Sequence, residues 1–157
     1  VVPRVDLLID IGRSINPGGD RGQVIGGFVQ GMGWVTGECL VYDSQGKLLS
    51  NSPTTYKIPG AGDVPPDFRC EFFPADDNVR NVARSKAVGE PPLMHALAVW
   101  SAVKHALSCV SPAATRRLCL PATSEEILRA LSVTDGPDAN GAGWGHSAAL
   151  RHWSKVP

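Results

Sequence analysis

Glu90 is the residue whose setting most invites chemistry. It stands in the run Ser85-Lys86-Ala87-Val88-Gly89-Glu90-Pro91-Pro92, after a glycine and directly before two prolines. Proline suits the first turn of a helix, where its missing N–H is not needed, so the segment that follows should be helical. A carboxylate at a helix start feels the partial positive charge there and can accept bonds from free backbone N–H groups. Both effects favour its ionised form, whereas burial in a dry cleft raises its pKa again. An ionised carboxylate held on a rigid element in a dry pocket is what a general base requires. The plainer reading is an acidic helix cap, and the local pattern alone favours the cap.

The second unusual feature is a run of glycines, Gly22, Gly26, Gly27, Gly31, Gly33 and Gly37, in a segment that otherwise reads as a helix. Each interior glycine costs about 1 kcal/mol relative to alanine. The spacings Gly22/Gly26 and Gly27/Gly31 leave bare backbone at i and i+4, open to close approach by another backbone or by a flat ligand. Tight helix packing explains the pattern as well as a ligand does. A dinucleotide-binding reading fails: Gly31-Met32-Gly33-Trp34-Val35-Thr36 has no third glycine and follows no strand.

Other chemistries find little support. His95, His105, His146 and His152 have no metal-ligand spacing, so His95 and His105 read as packing or surface residues of a helix. Trp34, Trp100, Trp144 and Trp153 read as core or tail anchors, and Arg116-Arg117 as a solvated pair. No G-x-S-x-G elbow occurs.

The elements that must position these residues can be read coarsely. Val5–Ile11 has strand character and Gly12–Asp20 is a loop of turn-formers. Asp20 with Gln23 three residues on forms a capping-box pattern, which predicts a glycine-rich helix running to Leu40. Val24, Phe28, Met32 and Val35 would share a face. Leu40–Leu49 reads as a hairpin turning at Ser44-Gln45-Gly46, Thr54–Pro59 as an extended piece, and Phe68–Phe73 as a strand. Leu93–Val110 is a long amphipathic helix with Leu93, Leu97, Trp100, Val103 and Leu107 at helical spacing. Ser124–Leu131 is a short helix. The fold class is therefore α+β, with mixed strands, a Gly-rich helix and a long amphipathic one. Residues 1–131 form the structured portion and residues 132–157 a Gly/Ala/Asp-rich tail, expected to be poorly ordered.

The chain's 157 residues suffice for one real core. With 15 basic and 15 acidic side chains, there is no electrostatic case for nucleic acid or an anionic membrane. No apolar stretch is long enough to span a bilayer. Cys39, Cys70, Cys109 and Cys119 lie in hydrophobic runs without C-x-x-C spacing and read as reduced core residues, which suits the cytoplasm. The start Val-Val-Pro-Arg carries neither initiator methionine nor signal sequence, and reads as a piece cut from something longer. A free-standing interaction or cofactor-carrier module is the alternative.

Three segments taken together sharpen this reading. INPGGDRGQVIGGFVQGMGWVTGE, TTYKIPGAGDVPPDFRCEFF and SKAVGEPPLMHALAVWSAVKHA, in that order, resemble the last part of the molybdopterin-binding large subunit of molybdenum hydroxylases, most closely the xanthine dehydrogenases. The resemblance runs from about Arg4 to about Leu131. It implies a molybdenum–molybdopterin cofactor, with Ala87, Val88 and Gly89 lining the metal pocket and Gln23 contacting the cofactor. It also implies that Glu90 is the base, taking a proton from the metal-bound hydroxide as that oxygen attacks an electron-poor ring carbon. The implied reaction is hydroxylation of purines, hypoxanthine to xanthine to urate, with oxygen from water and NAD as final acceptor; an aldehyde oxidase is the near alternative. The implied partners are the remainder of the large subunit, the 2Fe-2S and FAD domains or subunit, and further copies in an oligomer.

Overall fold

Strand β1, Arg4–Ile9, forms because its apolar residues alternate with charged ones: Val5 and Ile9 are buried while Arg4 and Asp6 face outward. After a short loop the chain enters helix α1, Pro17–Thr36, and returns as strand β2, Asp67–Phe72. The strands pair in parallel, Arg4 opposite Asp67 and Ile9 opposite Phe72. Parallel neighbours need a crossover, and α1 lies within it, as in a βαβ unit. The computed structural model describes residues 1–75 and 77–132.

Helix α1 begins four residues before the start expected with Asp20 as its cap. Asn16 is the cap, its Oδ1 accepting the Gly19 N–H at 3.1 Å, and Pro17 follows in the first turn. Asp20 instead accepts the Ser14 hydroxyl. The helix ends at Thr36, short of the expected Leu40. Its Val24, Phe28, Met32 and Val35 are buried, as their spacing predicts. Phe28 meets Phe68 edge-on, with ring centroids 5.4 Å apart. Val24 joins Ile9, Ile11 and Cys70 in one core cluster, flanked by Phe72 and Val88.

The predicted long helix is two. Helix α2, Pro91–His95, closes at Ala96, whose N–H bonds back to the Leu93 carbonyl at 3.2 Å, and helix α3, Leu97–Ser108, follows. The break falls where Leu93 and Ala96 crowd Gly31 of α1. It also shifts the apolar stripe: Leu97, expected to be buried, is exposed, and Val99 is buried instead.

The described residues divide into two compact units, Val1–Val35 with Ile58–Val99, and Thr36–Lys57 with residues 100–132. The first holds the strands, most of α1, and α2. In the second, the hairpin turn stands as expected: Tyr42 bridges Leu48, Gly46 has φ +82°, and Asp43 Oδ1 accepts the N–H groups of Gln45 and Lys47. Thr54–Pro59 is not extended at its start. Ser52 closes a turn, its carbonyl accepting the Thr55 and Tyr56 N–H groups while its hydroxyl bonds the Thr54 and Thr55 hydroxyls. Local side-chain bonding of this kind competes with a strand.

Helix α4, Pro112–Arg117, was not anticipated, although Ser111 caps it by accepting the Ala114 N–H at 3.1 Å. Helix α5 is Ser124–Ser132. There the Arg129 fork on Glu126, aided by the Cys119 N–H, holds the Glu126 carboxyl below the usual carboxylate range. Leu107, Leu118 and Ala122 form the core of this unit, with Trp100, Val103 and Ile127 packed against it.

Two compositional expectations need correction. All four cysteines are free thiols, but only Cys70 is a core residue, while Cys39 and Cys109 are exposed. Burial pushes the Cys70 thiol pKa up, as expected of a small apolar side chain. Trp34 is 53% exposed rather than a core anchor. The proposed tail, with Trp144, Trp153, His146 and His152, lies outside the described residues from position 133 onward. No helix among the described residues is long and apolar enough to cross a membrane.

Candidate active site

The run containing Glu90 has no regular structure between Lys86 and Gly89, so its position depends on how its ends are held. The upstream end is fastened to the exit of β1. Gly12 and Ser85 form an antiparallel bridge, in which Lys86 N–H reaches the Ile11 carbonyl at 2.9 Å and Arg13 N–H the Arg84 carbonyl at 3.0 Å. Gly12 has φ +61°, and a Cβ there would lie 2.3 Å from the Arg84 carbonyl oxygen, so no other residue fits. Ala83 and Arg84 are themselves left-handed, at φ +52° and +59°. Asn78 and Asn81 donate their side-chain amides to the Ser85 carbonyl. Lys86 reaches back to Asp10, which also accepts the Gly12 N–H at 2.8 Å.

The downstream end is seated on α1. Pro92 is buried, and a Cβ on Gly27 would lie 3.2 Å from Pro92 Cβ and 3.3 Å from the Gly89 carbonyl oxygen. One turn on, a Cβ on Gly31 would meet the Leu93 carbonyl oxygen at 2.3 Å. Thus the glycines Gly27 and Gly31 serve close backbone packing. Gly22 and Gly26, at the same spacing, face open space.

Between these seats stands Glu90. It occupies the cap position of α2 and its carbonyl accepts the Leu93 N–H at 3.1 Å, yet its carboxylate makes no capping bond. The carboxylate is exposed, so this chain alone does not build the dry cleft a base would need. Gln23 lies beside the same turn: a Cβ on Gly89 would sit 3.6 Å from Gln23 Oε1. Ala87 and Gly89 are exposed, while Val88 is half-buried against the core. The fold therefore brings Gln23, Ala87, Val88, Gly89 and Glu90 to one place.

The donor set suits a flat, hydrogen-bonding organic group better than a bare ion. Gln23 offers an amide that both donates and accepts, and Gly22 and Gly26 leave the helix backbone uncovered beside it. Among the described residues, no three His, Cys, Asp or Glu side chains gather as metal ligands. Sequence reasoning missed Asp10, Gly12 and Lys86. Gly12 was legible only as one of several loop glycines, and the Asp10–Lys86 contact spans 76 positions that no local pattern connects.

Comparison with known proteins identifies the family. The profile of the molybdopterin cofactor-binding domain matches residues 1–65. The xanthine dehydrogenase/oxidase of Felis catus is 42% identical over 135 residues, 81% of this chain and 10% of that protein. The xanthine dehydrogenase of Dictyostelium discoideum is 44% identical over 105 residues, 67% of this chain and 8% of that protein. Among solved structures, quinoline 2-oxidoreductase from Pseudomonas putida 86 superposes with a TM-score of 0.69 at 30% identity, covering 82% of this chain and 16% of its own. The chain thus spans about a tenth of the length of the curated relatives it matches. With the molybdopterin-domain match at its start and xanthine dehydrogenase identity over most of its length, the chain belongs to the xanthine dehydrogenase family of molybdenum hydroxylases, as a segment of the molybdopterin-binding domain.

Proposed function

We propose that this segment supplies the general base and part of the cofactor seat of a molybdenum hydroxylase acting on purines, with NAD as final electron acceptor. The observation that carries the reading is the placement of an uncapped carboxylate, Glu90, on a doubly anchored turn beside Gln23 and bare helix backbone. The xanthine dehydrogenase relatives support the purine substrate.

When bound, molybdenum–molybdopterin supplies the two-electron redox chemistry by which oxygen from water enters an electron-poor ring carbon. Gln23 would hold the pterin through its side-chain amide. Ala87, Val88 and Gly89 would present short side chains and backbone toward the reacting centre. Glu90 would accept, on a carboxylate oxygen, the proton of the attacking hydroxyl. Water must be excluded for this to be efficient, and the rest of the large subunit would provide that cover. The complete enzyme would add 2Fe-2S and FAD domains and work as a cytoplasmic oligomer.

The test is Glu90→Ala in the full-length enzyme. A positioned base contributes about 10²–10⁴-fold, so turnover should fall at least about a hundredfold, or about 3 kcal/mol of barrier, with molybdenum still bound. Molybdenum loss from the variant would make Glu90 a structural cap instead.

A further inference from the structure

We propose that Lys86 is a positioning residue for Glu90, its ammonium group held by Asp10 so that the base-bearing turn is tied to the end of β1. The inference rests on the reading of Glu90 as base and goes beyond it to what fixes that base in place. Three residues separate Lys86 from Glu90, and no regular structure fixes their backbone until α2 begins. The downstream seat, Pro92 against Gly27, limits movement only from the far side. Upstream, the Arg84 and Ser85 carbonyls are held by the Arg13 N–H and by the Asn78 and Asn81 amides, and Lys86 itself by its N–H on the Ile11 carbonyl. The Lys86 side chain adds a second hold on the same residue, across to Asp10.

Asp10 is suited to this role. It is fixed from the other side by the Gly12 N–H, at the left-handed turn where no larger residue fits. Its carboxyl is held below the usual carboxylate range, first by the Lys86 hydrogen bond and then by the Gly12 N–H, so it stays ionised at neutral pH.

Magnitudes separate this role from a merely structural one. The pair is partly exposed, with side chains 36% and 39% accessible, and such ion pairs contribute little to stability. Catalysis is far more sensitive, since a misplacement of about 1 Å in a reacting group can lower a rate about a hundredfold. The signature of a tether is therefore a large loss of kcat with an almost unchanged melting temperature.

The experiment uses the full-length enzyme with xanthine as substrate. Lys86→Met should lower kcat about 10- to 100-fold while KM stays within about threefold and molybdenum content is unchanged. Amide hydrogen exchange across residues 85–90 should quicken by about tenfold, because Lys86 N–H loses its partner more often. Asp10→Asn should reproduce both effects, the double variant should be no worse than either single one, and Lys86→Arg should restore most of the rate. Unchanged kcat, unchanged exchange, additive losses or loss of molybdenum in Lys86→Met would each overturn the proposal. Failure of the base reading is distinguishable: Glu90→Gln would then turn over normally, whereas exchange across residues 85–90 reports the tether whatever Glu90 does.

Discussion

Helix α1 carries two glycine pairs at identical spacing, and they have opposite surroundings. Gly27 and Gly31 lie under α2, where their missing side chains let the Gly89 and Leu93 carbonyls approach the helix. Gly22 and Gly26, one turn nearer the start, have nothing within 4 Å of where a Cβ would stand. Spacing alone therefore states only that backbone can be approached. What approaches it has to be read from the partner: α2 supplies one for the second pair, and nothing in the described residues supplies one for the first. Each pair weakens the isolated helix by a similar amount, but only the second is visibly compensated within the chain.

The contrast is broken or sharpened most strongly at Gly31. A methyl group there would meet a backbone oxygen at 2.3 Å and Ala96 Cβ at 2.8 Å, and neither can rotate away. Overpacking of this kind costs about 1–3 kcal/mol or more, and helix propensity returns at most about 1. Gly31→Ala should lower stability by about 2 kcal/mol, seen as a lower urea midpoint at constant m-value. A neutral outcome would mean that α2 is not seated on α1 as described.

Gly22→Ala combined with Gly26→Ala should do the reverse. Both sites are open, so each alanine should gain about 0.4–1 kcal/mol of helix stability, about 1–2 together, read as a raised urea midpoint. In the full-length enzyme the same double variant should carry less molybdenum, because the proposed pterin needs bare backbone beside Gln23. A stabilised variant with full molybdenum content would separate the open pair from the cofactor.

The same contrast shows what was legible. The buried stripe Val24, Phe28, Met32 and Val35 follows helical spacing and could be read directly, as could β2 and α5. The break after α2 could not, because Ala96 is a good helix former and the cause of its crowding is a glycine 65 positions away in sequence. The start of α1 was misread because Asp20 and Gln23 offer a capping pattern, while Asn16 before Pro17 offers a better one. At the site, the resemblance named Gln23 and the consecutive residues 87–90, and the fold sets Gln23 beside Gly89. Their scaffold was not legible, since Gly12 and Asp10 act only through Arg84 and Lys86.

Gly27 lies between the two extremes and tests whether the seat positions the proposed base, Glu90, as well as the helix. A methyl group there would stand 3.2 Å from Pro92 Cβ and 3.3 Å from the Gly89 carbonyl oxygen, close enough to require a shift of a few tenths of an ångström. Pro92 is buried, so the shift falls on the exposed side, on Gly89 and the residue that follows it, Glu90. The stability effect should be small, within about 1 kcal/mol, because the strain and the gained helix propensity oppose each other. The effect on turnover should exceed it, with kcat about tenfold lower at unchanged molybdenum content. If Gly27→Ala is instead fully active, the turn yields without moving Glu90. The proposed base would then be set by its upstream anchor at Asp10 and Lys86, and the glycine pair under α2 would serve packing alone.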